Sequence, residues 1–104
     1  MKQPEFDNDG YPTEETLETI AEWRGSYRDL LEFARQAWHW LDYVSIAKTK
    51  NTFGNEVLEY TFVTGGWSGN EDVISALHKN IVFYAFCWKE SHRGGRHIYE
   101  VKDE

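Results

Sequence analysis

Histidine and carboxylate side chains near the C-terminus are the first residues whose types and spacing suggest chemistry. His92 and His97 face each other across a predicted hairpin, and Glu90 lies two residues before His92 on the same strand face. Two imidazoles and a carboxylate can bind zinc. The sequence offers no fourth ligand and no second shell, and an isolated ligand set rarely meets the full geometry of a metal site. We therefore expect neither a functional metal nor another cofactor.

The one cysteine is the next candidate for chemistry. Cys87 lies between Phe86 and Trp88 in a strongly apolar segment, which favours a buried structural thiol over a nucleophile. A lone cysteine cannot form an internal disulfide, and this fits a reducing compartment such as the cytoplasm. Because the sequence shows no nucleophile with a base and no carboxylate pair in a pocket, we expect a protein that is not an enzyme.

Two arginines form a possible anion site. Arg93 and Arg96 flank Gly94-Gly95, and a two-residue loop would place them directly opposite each other, where like charges repel. Their guanidinium groups can converge on a phosphate or on a carboxylate of a partner. Ser91 would lie on the same face and could add a hydroxyl. The alternative is that both arginines point into water, where their repulsion is screened.

A glycine-rich segment at residues 64–74, TGGWSGNEDVI, is the junction of a predicted strand and helix. Ser68 followed by Glu71 is a capping box, which predicts the helix start. A phosphate-binding loop is disfavoured, because the G-x-x-x-x-G-K-[ST] pattern is absent. In addition, Glu71 and Asp72 in the first turn would repel an anion. The pattern predicts a capped turn, and it leaves open whether Trp67 is buried or displayed at the surface.

These segments also resemble a known family. TGGWSGNEDVI at 64–74, Trp88, SHRGG at 91–95 and the acidic start DGYPTEE at 9–15 are similar to a family of small proteins encoded by phages and prophages. The resemblance covers most of the chain. The family has no assigned biochemical activity, so the resemblance implies a phage-derived protein inside a bacterial cell and transfers no catalytic residue.

Composition restricts the possible partners. The 104 residues carry a net charge of −7, and residues 1–22 account for −6 of it, with seven carboxylates against one lysine. Such acidity argues against general binding to nucleic acid. No apolar run approaches the length of a membrane helix, and no signal peptide is visible. The 17 aromatic residues exceed what a domain of this size must bury, and they indicate a host or phage protein, or a second copy, as partner.

Three helices are predicted from apolar residues at helical spacing. They cover residues 14–23, 27–42 and 69–79. Thr13 and Ser26 are the expected N-caps of the first two. Asn80 can end the third in the left-handed conformation.

Four strands are predicted from period-two alternation and from one continuous apolar run. They cover residues 43–49, 58–63, 81–90 and 97–102. In the first hairpin, a loop at residues 54–55 pairs Lys50 with Glu59, whereas a loop at residues 53–54 pairs Lys48 with Glu59. Both give an attractive charge pair, and glycine at the first loop position favours the former.

The second hairpin has a predicted register that follows from a two-residue Gly94-Gly95 loop. The expected pairs are Trp88 with Val101, Lys89 with Glu100, and Glu90 with Tyr99. Together the elements predict a single α+β domain over residues 1–104. It has an extended arm at 1–12, the order ααββαββ and a four-stranded antiparallel sheet with helices mainly on one face. We expect one core that contains Trp38, Leu41, Phe62, Leu77 and Phe86.

Overall fold

A four-stranded antiparallel sheet in the order β1-β2-β4-β3 is the frame of the molecule. The computed structural model describes residues 3–39 and 43–102. The strands are β1 (Val44–Lys50), β2 (Glu56–Val63), β3 (Trp88–His92) and β4 (Arg96–Lys102), and the helices are α1 (Glu14–Ala21), α2 (Tyr27–Gln36), α3 (Ser68–Lys79) and α4 (Ile81–Cys87). The predicted α+β class is confirmed. The predicted order ααββαββ is confirmed as well, with α3 and α4 forming one helical segment that is interrupted at Asn80.

The two central strands carry the core face of the sheet. Leu58, Tyr60 and Phe62 of β2 pair with Val101, Tyr99 and His97 of β4. Period-two alternation brings these side chains to one face, and most of them join buried helical residues in one apolar cluster. Trp38, Phe62 and Leu77 belong to that cluster as predicted, whereas Leu41 lies outside the described residues.

Two helix caps are confirmed. The Thr13 hydroxyl accepts a hydrogen bond from the Thr16 amide at 3.2 Å, and the Ser26 hydroxyl accepts one from the Asp29 amide at 3.3 Å. Both helices are shorter than predicted. α1 ends at Ala21 and α2 ends at Gln36. The predicted end of the second helix falls on residues 40–42, which lie outside the described residues.

The predicted capping box at the start of α3 is wrong. Ser68 is the first helical residue, and Trp67 occupies the N-cap position without a side-chain cap bond. The Trp67 carbonyl accepts from the amides of Asn70 and Glu71. The chain therefore enters the helix one residue earlier than the Ser-x-x-Glu pattern requires.

The prediction of a strand over residues 81–90 is wrong in its first part, because residues 81–87 form α4. Every position from Ile81 to Cys87 is apolar, so the segment has neither a helical nor a strand period. The Asn80 side chain decides for the helix, since it accepts a hydrogen bond from the Phe83 amide at 3.3 Å. As a result Phe86, predicted to be in the core, is 78% exposed.

Both predicted registers of the first hairpin are wrong. Lys50 lies opposite Glu56, and Glu59 lies opposite Ala47. The loop spans residues 51–55, because the Asn51 side chain accepts from the amides of Phe53 and Asn55 at 2.9 and 3.0 Å. This Asx-type bonding stabilises a longer turn than two residues.

The predicted register of the second hairpin is also wrong. Arg93, Gly94 and Gly95 form the turn, with both glycines at positive φ of 88° and 82°. The observed pairs are His92 with Arg96, Ser91 with His97, Glu90 with Ile98, and Trp88 with Tyr99. The three-residue turn and an irregularity between Trp88 and Glu90 together change all three predicted pairs.

The N-terminal segment differs from the extended arm that was predicted. Phe6 and Pro12 form an isolated antiparallel bridge, and the Asp7 amide donates to the Tyr11 carbonyl at 2.8 Å. The Glu5 amide donates to the Thr16 hydroxyl of α1 at 2.8 Å. Residues 5–12 therefore turn back and attach to the first helix.

Candidate functional site

The exposed side of α4 is the most unusual surface among the described residues. Only Phe83 and Cys87 of this seven-residue helix are buried. Ile81 is 77% exposed and Phe86 is 78% exposed, and Val82 and Ala85 between them are exposed as well. At 100° per residue, positions 81, 82, 85 and 86 lie side by side on the helix surface. We call these four residues the α4 face.

Asn80 fixes the direction of α4. Its amide donates to the carbonyls of Ala76 and Leu77 and so ends α3, while its side-chain oxygen caps α4. Its side-chain amide nitrogen donates to the carbonyls of Ile20 and Trp23, each at 3.1 Å. One buried residue therefore joins the end of α1 and the start of α4 through its side chain, and the end of α3 through its backbone amide.

Phe83 anchors the helix from the other side. Its ring packs against Tyr99 of β4 at a centroid distance of 5.3 Å and against Tyr27 of α2 at 5.6 Å. Cys87, one turn later, is buried as predicted, although it ends a helix and does not lie within a strand. Burial raises the pKa of the Cys87 thiol to about 11, so it stays protonated near neutral pH and is a poor nucleophile.

Two aromatic rings extend the α4 face toward β3. The rings of Tyr84 and Trp88 are stacked, with centroids 5.4 Å apart and an interplanar angle of 9°, and both side chains are partly exposed. Tyr84 also meets the His78 ring edge-on at 4.6 Å. The surface from the α4 face to Trp88 is therefore continuous and rich in aromatic area.

The chain segment that forms this surface carries no charged side chain. The nine residues from Asn80 to Trp88 contain no Asp, Glu, Lys or Arg. Lys89, the next residue, bonds Glu59 at 2.7 Å and approaches Glu100 at 3.9 Å. Its hydrogen bond to Glu59 raises the pKa of Lys89. Lys89 thus offsets part of the negative charge of two carboxylates that lie opposite each other on β2 and β4.

A cleft of about 780 Å³ adjoins the α4 face at Phe86. The start of α2, the end of α4 and the ends of β2 and β4 surround it. Its lining combines apolar side chains such as Val57 and Val101 with the charged residues Asp29 and Lys102. A large exposed ring at the rim of a mixed cleft is a common arrangement at protein interfaces.

A cluster of polar side chains lies behind Trp88. The Trp88 indole donates to the Ser91 hydroxyl at 2.8 Å, and Ser91 is 2.9 Å from Nδ1 of His97. His78 is 2.9 Å from the Tyr99 hydroxyl. Burial lowers the pKa values of His78 and His97 and raises that of Tyr99. Both imidazoles are therefore held neutral near pH 7.

The predicted anion site is not assembled in the expected way. Arg96 lies opposite His92, and Arg93 belongs to the turn, so the expected pairing of Arg93 with Arg96 is wrong. Ser91 pairs with His97, on the sheet face opposite to that of Arg96. The structure does bring the turn against the glycine-rich loop, since the Thr64 amide donates to the Gly95 carbonyl at 2.9 Å.

The three candidate metal ligands lie on two faces of the sheet. Nε2 of His92 is 3.2 Å from a Glu90 carboxylate oxygen, whereas His97 points to the helix side with Ser91. Within residues 3–39 and 43–102, no group of three or more His, Cys, Asp or Glu side chains could hold a metal ion. The weak candidate ligands His92, His97 and Glu90 are therefore not brought together on one face.

Trp67 is half-buried, which answers the question that the sequence left open. Its ring packs between Tyr11 at 4.8 Å and His39 at 4.5 Å. It also covers Gly69, where any Cβ would overlap the indole. Trp67 thus joins the N-terminal turn to α3, and part of its side chain stays exposed.

Sequence reasoning did not identify Asn70. This fully buried side chain accepts from the His39 amide at 2.8 Å and donates to the carbonyls of His39 and Thr64 at 3.1 and 3.2 Å. A polar residue among the apolar positions of a helix was the available signal, because buried amides need partners. Asn70 fixes the glycine-rich loop relative to the end of α2.

The described part of the chain has no helix with the length and apolar character needed to cross a membrane. Comparison of the chain with protein-family models, with curated proteins and with solved structures gave no match.

Proposed function

We propose that this chain is a small, non-catalytic protein-binding module and that it binds its partner through the α4 face. The observation that carries the proposal is the exposure of Ile81 and Phe86 on a helix that buries only two of its seven residues. Each large apolar side chain that leaves water stabilises a complex by about 1.5–3 kcal/mol. Contiguous exposed apolar patches commonly mark interaction sites.

The surroundings of the α4 face support a protein partner. The stacked rings of Tyr84 and Trp88 add rigid aromatic area, which is typical of interface hot spots. The adjoining cleft at Phe86 offers a recess for a partner side chain. The absence of charge between Asn80 and Trp88 argues against a nucleic-acid ligand on this surface, since such ligands are held mainly by Lys and Arg.

The polar cluster behind Trp88 does not favour catalysis. Ser91 and His97 form a hydroxyl–imidazole pair, but the hydroxyl oxygen already accepts from the Trp88 indole. Ser91 lies on an exposed strand and does not line the cleft. A nucleophile needs a substrate pocket and groups that stabilise the developing charge, and the contacts of Ser91 provide neither.

The resemblance to phage and prophage proteins supports a bacterial setting for this function. Such a protein would act in the cytoplasm of the host as an accessory factor, with a host protein, a phage protein or a second copy as partner. The single buried thiol is compatible with a reducing compartment.

Capture from bacterial lysate tests the proposal, with a matched pair of variants. Phe86→Lys places a charge in the α4 face, whereas Phe53→Lys places the same charge at an equally exposed phenylalanine, 86% exposed, in the β1–β2 loop. We expect a protein that is retained by the wild-type chain and by Phe53→Lys and is lost with Phe86→Lys. Equal retention by Phe86→Lys would contradict the assignment of the surface.

A second candidate function is binding of a small anion or nucleotide where the β3–β4 turn meets the glycine-rich loop. The contact between Gly95 and Thr64 favours it, because it places the Arg93–Arg96 turn beside the loop that carries Trp67. Glu71 in the first turn of α3 opposes it. Tryptophan fluorescence during titration with inorganic phosphate or ATP should change in the wild type and not in an Arg93→Ala/Arg96→Ala double variant. An unchanged wild-type signal would remove this candidate.

A further inference from the structure

We propose that the partner of the α4 face is a second copy of this chain, bound with the two α4 helices antiparallel about a twofold axis near Ala85. This inference rests on the proposed function, because it names the occupant of the same surface. A twofold interface brings one patch against itself, so the patch must be complementary to its own copy in charge and in shape.

Charge is the first condition. The chain carries −7, so most contacts between two copies bring like charges together. The segment from Asn80 to Trp88 has no charged residue, and Lys89 beyond it is engaged by Glu59. The α4 face itself therefore lets two acidic chains meet without burying a charge. The side chains that border it carry both signs, with Glu22, Arg24 and Lys79 beside Ile81 and Val82, and Asp29 and Lys102 beside Phe86.

Shape is the second condition. On the α4 face, Ile81 and Val82 lie toward one end, and Ala85 and Phe86 lie side by side toward the other. In an antiparallel pair, Phe86 of one copy packs against the Ile81 and Val82 end of the other. The small side chain of Ala85 lets the two helices approach to the 8–10 Å separation that packed helices show. A face with a large ring at one end and aliphatic side chains at the other is thus complementary to an antiparallel copy of itself.

Area is the third condition. The exposed parts of Ile81, Val82, Ala85 and Phe86 amount to roughly 400 Å² in each copy, given the size of such side chains. Two copies would therefore remove about 800 Å² from water, and with the neighbouring residues that the contact also covers the interface has the small size of weak, reversible complexes. We expect a reversible dimer whose population rises with concentration.

Sedimentation equilibrium over about 5–500 µM, a range suited to such an interface, tests this inference. The wild-type mass should rise from 12.3 kDa toward twice that value. Phe86→Lys should stay monomeric, and Phe53→Lys should dimerise like the wild type. Circular dichroism checks that each variant is folded, and Val82→Lys is the replacement if Phe86→Lys is not.

Cysteine cross-linking tests the twofold geometry separately. An axis near Ala85 brings residue 85 close to its own copy, so Ala85→Cys should form an intermolecular disulfide under mild oxidation. Phe53→Cys, exposed but outside the interface, should react far more slowly. The native Cys87 is buried and should contribute little. Equal cross-linking of the two variants would overturn the proposed axis.

The outcomes separate this inference from the proposed function. In one outcome, the wild-type chain stays monomeric at every concentration, and a lysate protein that it captures is lost with Phe86→Lys. This outcome overturns the dimer and leaves the protein-binding surface in place. A dimer that persists in Phe86→Lys overturns the dimer interface proposed here. If the wild-type chain stays monomeric and no captured lysate protein is lost with Phe86→Lys, both the dimer and the proposed binding surface are overturned.

Discussion

α3 and α4 follow each other with one residue between them, yet they bury very different shares of their surface. α3 buries six of its twelve residues, including Asn70, whereas α4 buries two of seven although all seven are apolar. The difference arises from position. α3 lies against α1 and the core face of the sheet, whereas the α4 face points away from both. Apolar composition alone therefore does not determine which residues of a helix are buried.

The largest expected effect separates the two sides of α4. Phe83 is fully buried, so Phe83→Ala should lower the free energy of unfolding by about 3–5 kcal/mol. Phe86→Ala should change it by less than about 0.5 kcal/mol, because its ring is mostly in water. Urea denaturation of dilute protein measures both. Similar losses for the two variants would show that the two sides of α4 do not differ.

The next effect concerns the residue that joins the two helices. Asn80→Ala removes the α4 cap and leaves the Ile20 and Trp23 carbonyls without their donor, at a cost of about 2–4 kcal/mol. Asn80→Asp keeps the capping oxygen and removes only the N–H donor, so it should lower the free energy of unfolding by less than Asn80→Ala does. If both variants unfold at the wild-type urea concentration, Asn80 does not hold the α3–α4 junction.

A pH effect tests the contact between the helices, where His78 of α3 meets Tyr84 of α4. Burial lowers the pKa values of both His78 and His97. Charge repulsion from His97 lowers the pKa of His78 further, whereas the nearby Glu71 carboxylate partly opposes the lowering for His97. The unfolded chain then binds more protons than the folded chain, so stability rises with pH in this range. This stabilisation by the two neutral imidazoles should be complete above about pH 6.5, which is the histidine pKa in the unfolded chain. It should decrease as the pH falls below that value.

Urea midpoints between pH 7.5 and pH 5.5 measure this dependence. His78→Gln should flatten the curve, because one of the two titrating groups is removed. A midpoint in the wild type that stays constant over this range would contradict the burial of the two imidazoles.

The smallest effect concerns the start of α3. Ser68 is the first helical residue and makes no cap bond, so Ser68→Ala should change stability by less than about 0.5 kcal/mol. Thr13→Ala is the comparison, because Thr13 does cap α1, and it should cost about 0.5–2 kcal/mol. A loss at Ser68 as large as that at Thr13 would restore the capping box.

Local signals in the sequence were sufficient where one side chain determines the backbone. Thr13 and Ser26 cap the helices that they were predicted to cap, and the alternation of Leu58, Tyr60 and Phe62 places the core face of β2 correctly. Where two local signals compete, the sequence was not sufficient. Gly94-Gly95 permits both a two-residue and a three-residue turn, and the contact of Gly95 with Thr64, which is distant in sequence, accompanies the longer one.

The candidate site was predicted only in its general character. Aromatic excess and acidity predict a protein-binding surface, which stays a prediction. The place that we propose for it depends on α4, and an apolar run without a period does not reveal a helix. Phe86 was assigned to the core for that reason. The Asn80 cap was the available signal, and it competed with the strand propensity of Ile81, Val82 and Phe83.

Hydroxyl-radical footprinting with mass spectrometry tests the central claim most directly, because it reports how accessible each side chain is in the unmodified protein. In dilute protein, Phe86 should be oxidised about as fast as Phe53 and much faster than Phe83. In concentrated protein, or with a captured partner present, Phe86 should become protected while Phe53 does not. A dilute-state rate for Phe86 as low as that of Phe83, or no protection under either condition, would contradict the α4 face as the binding surface.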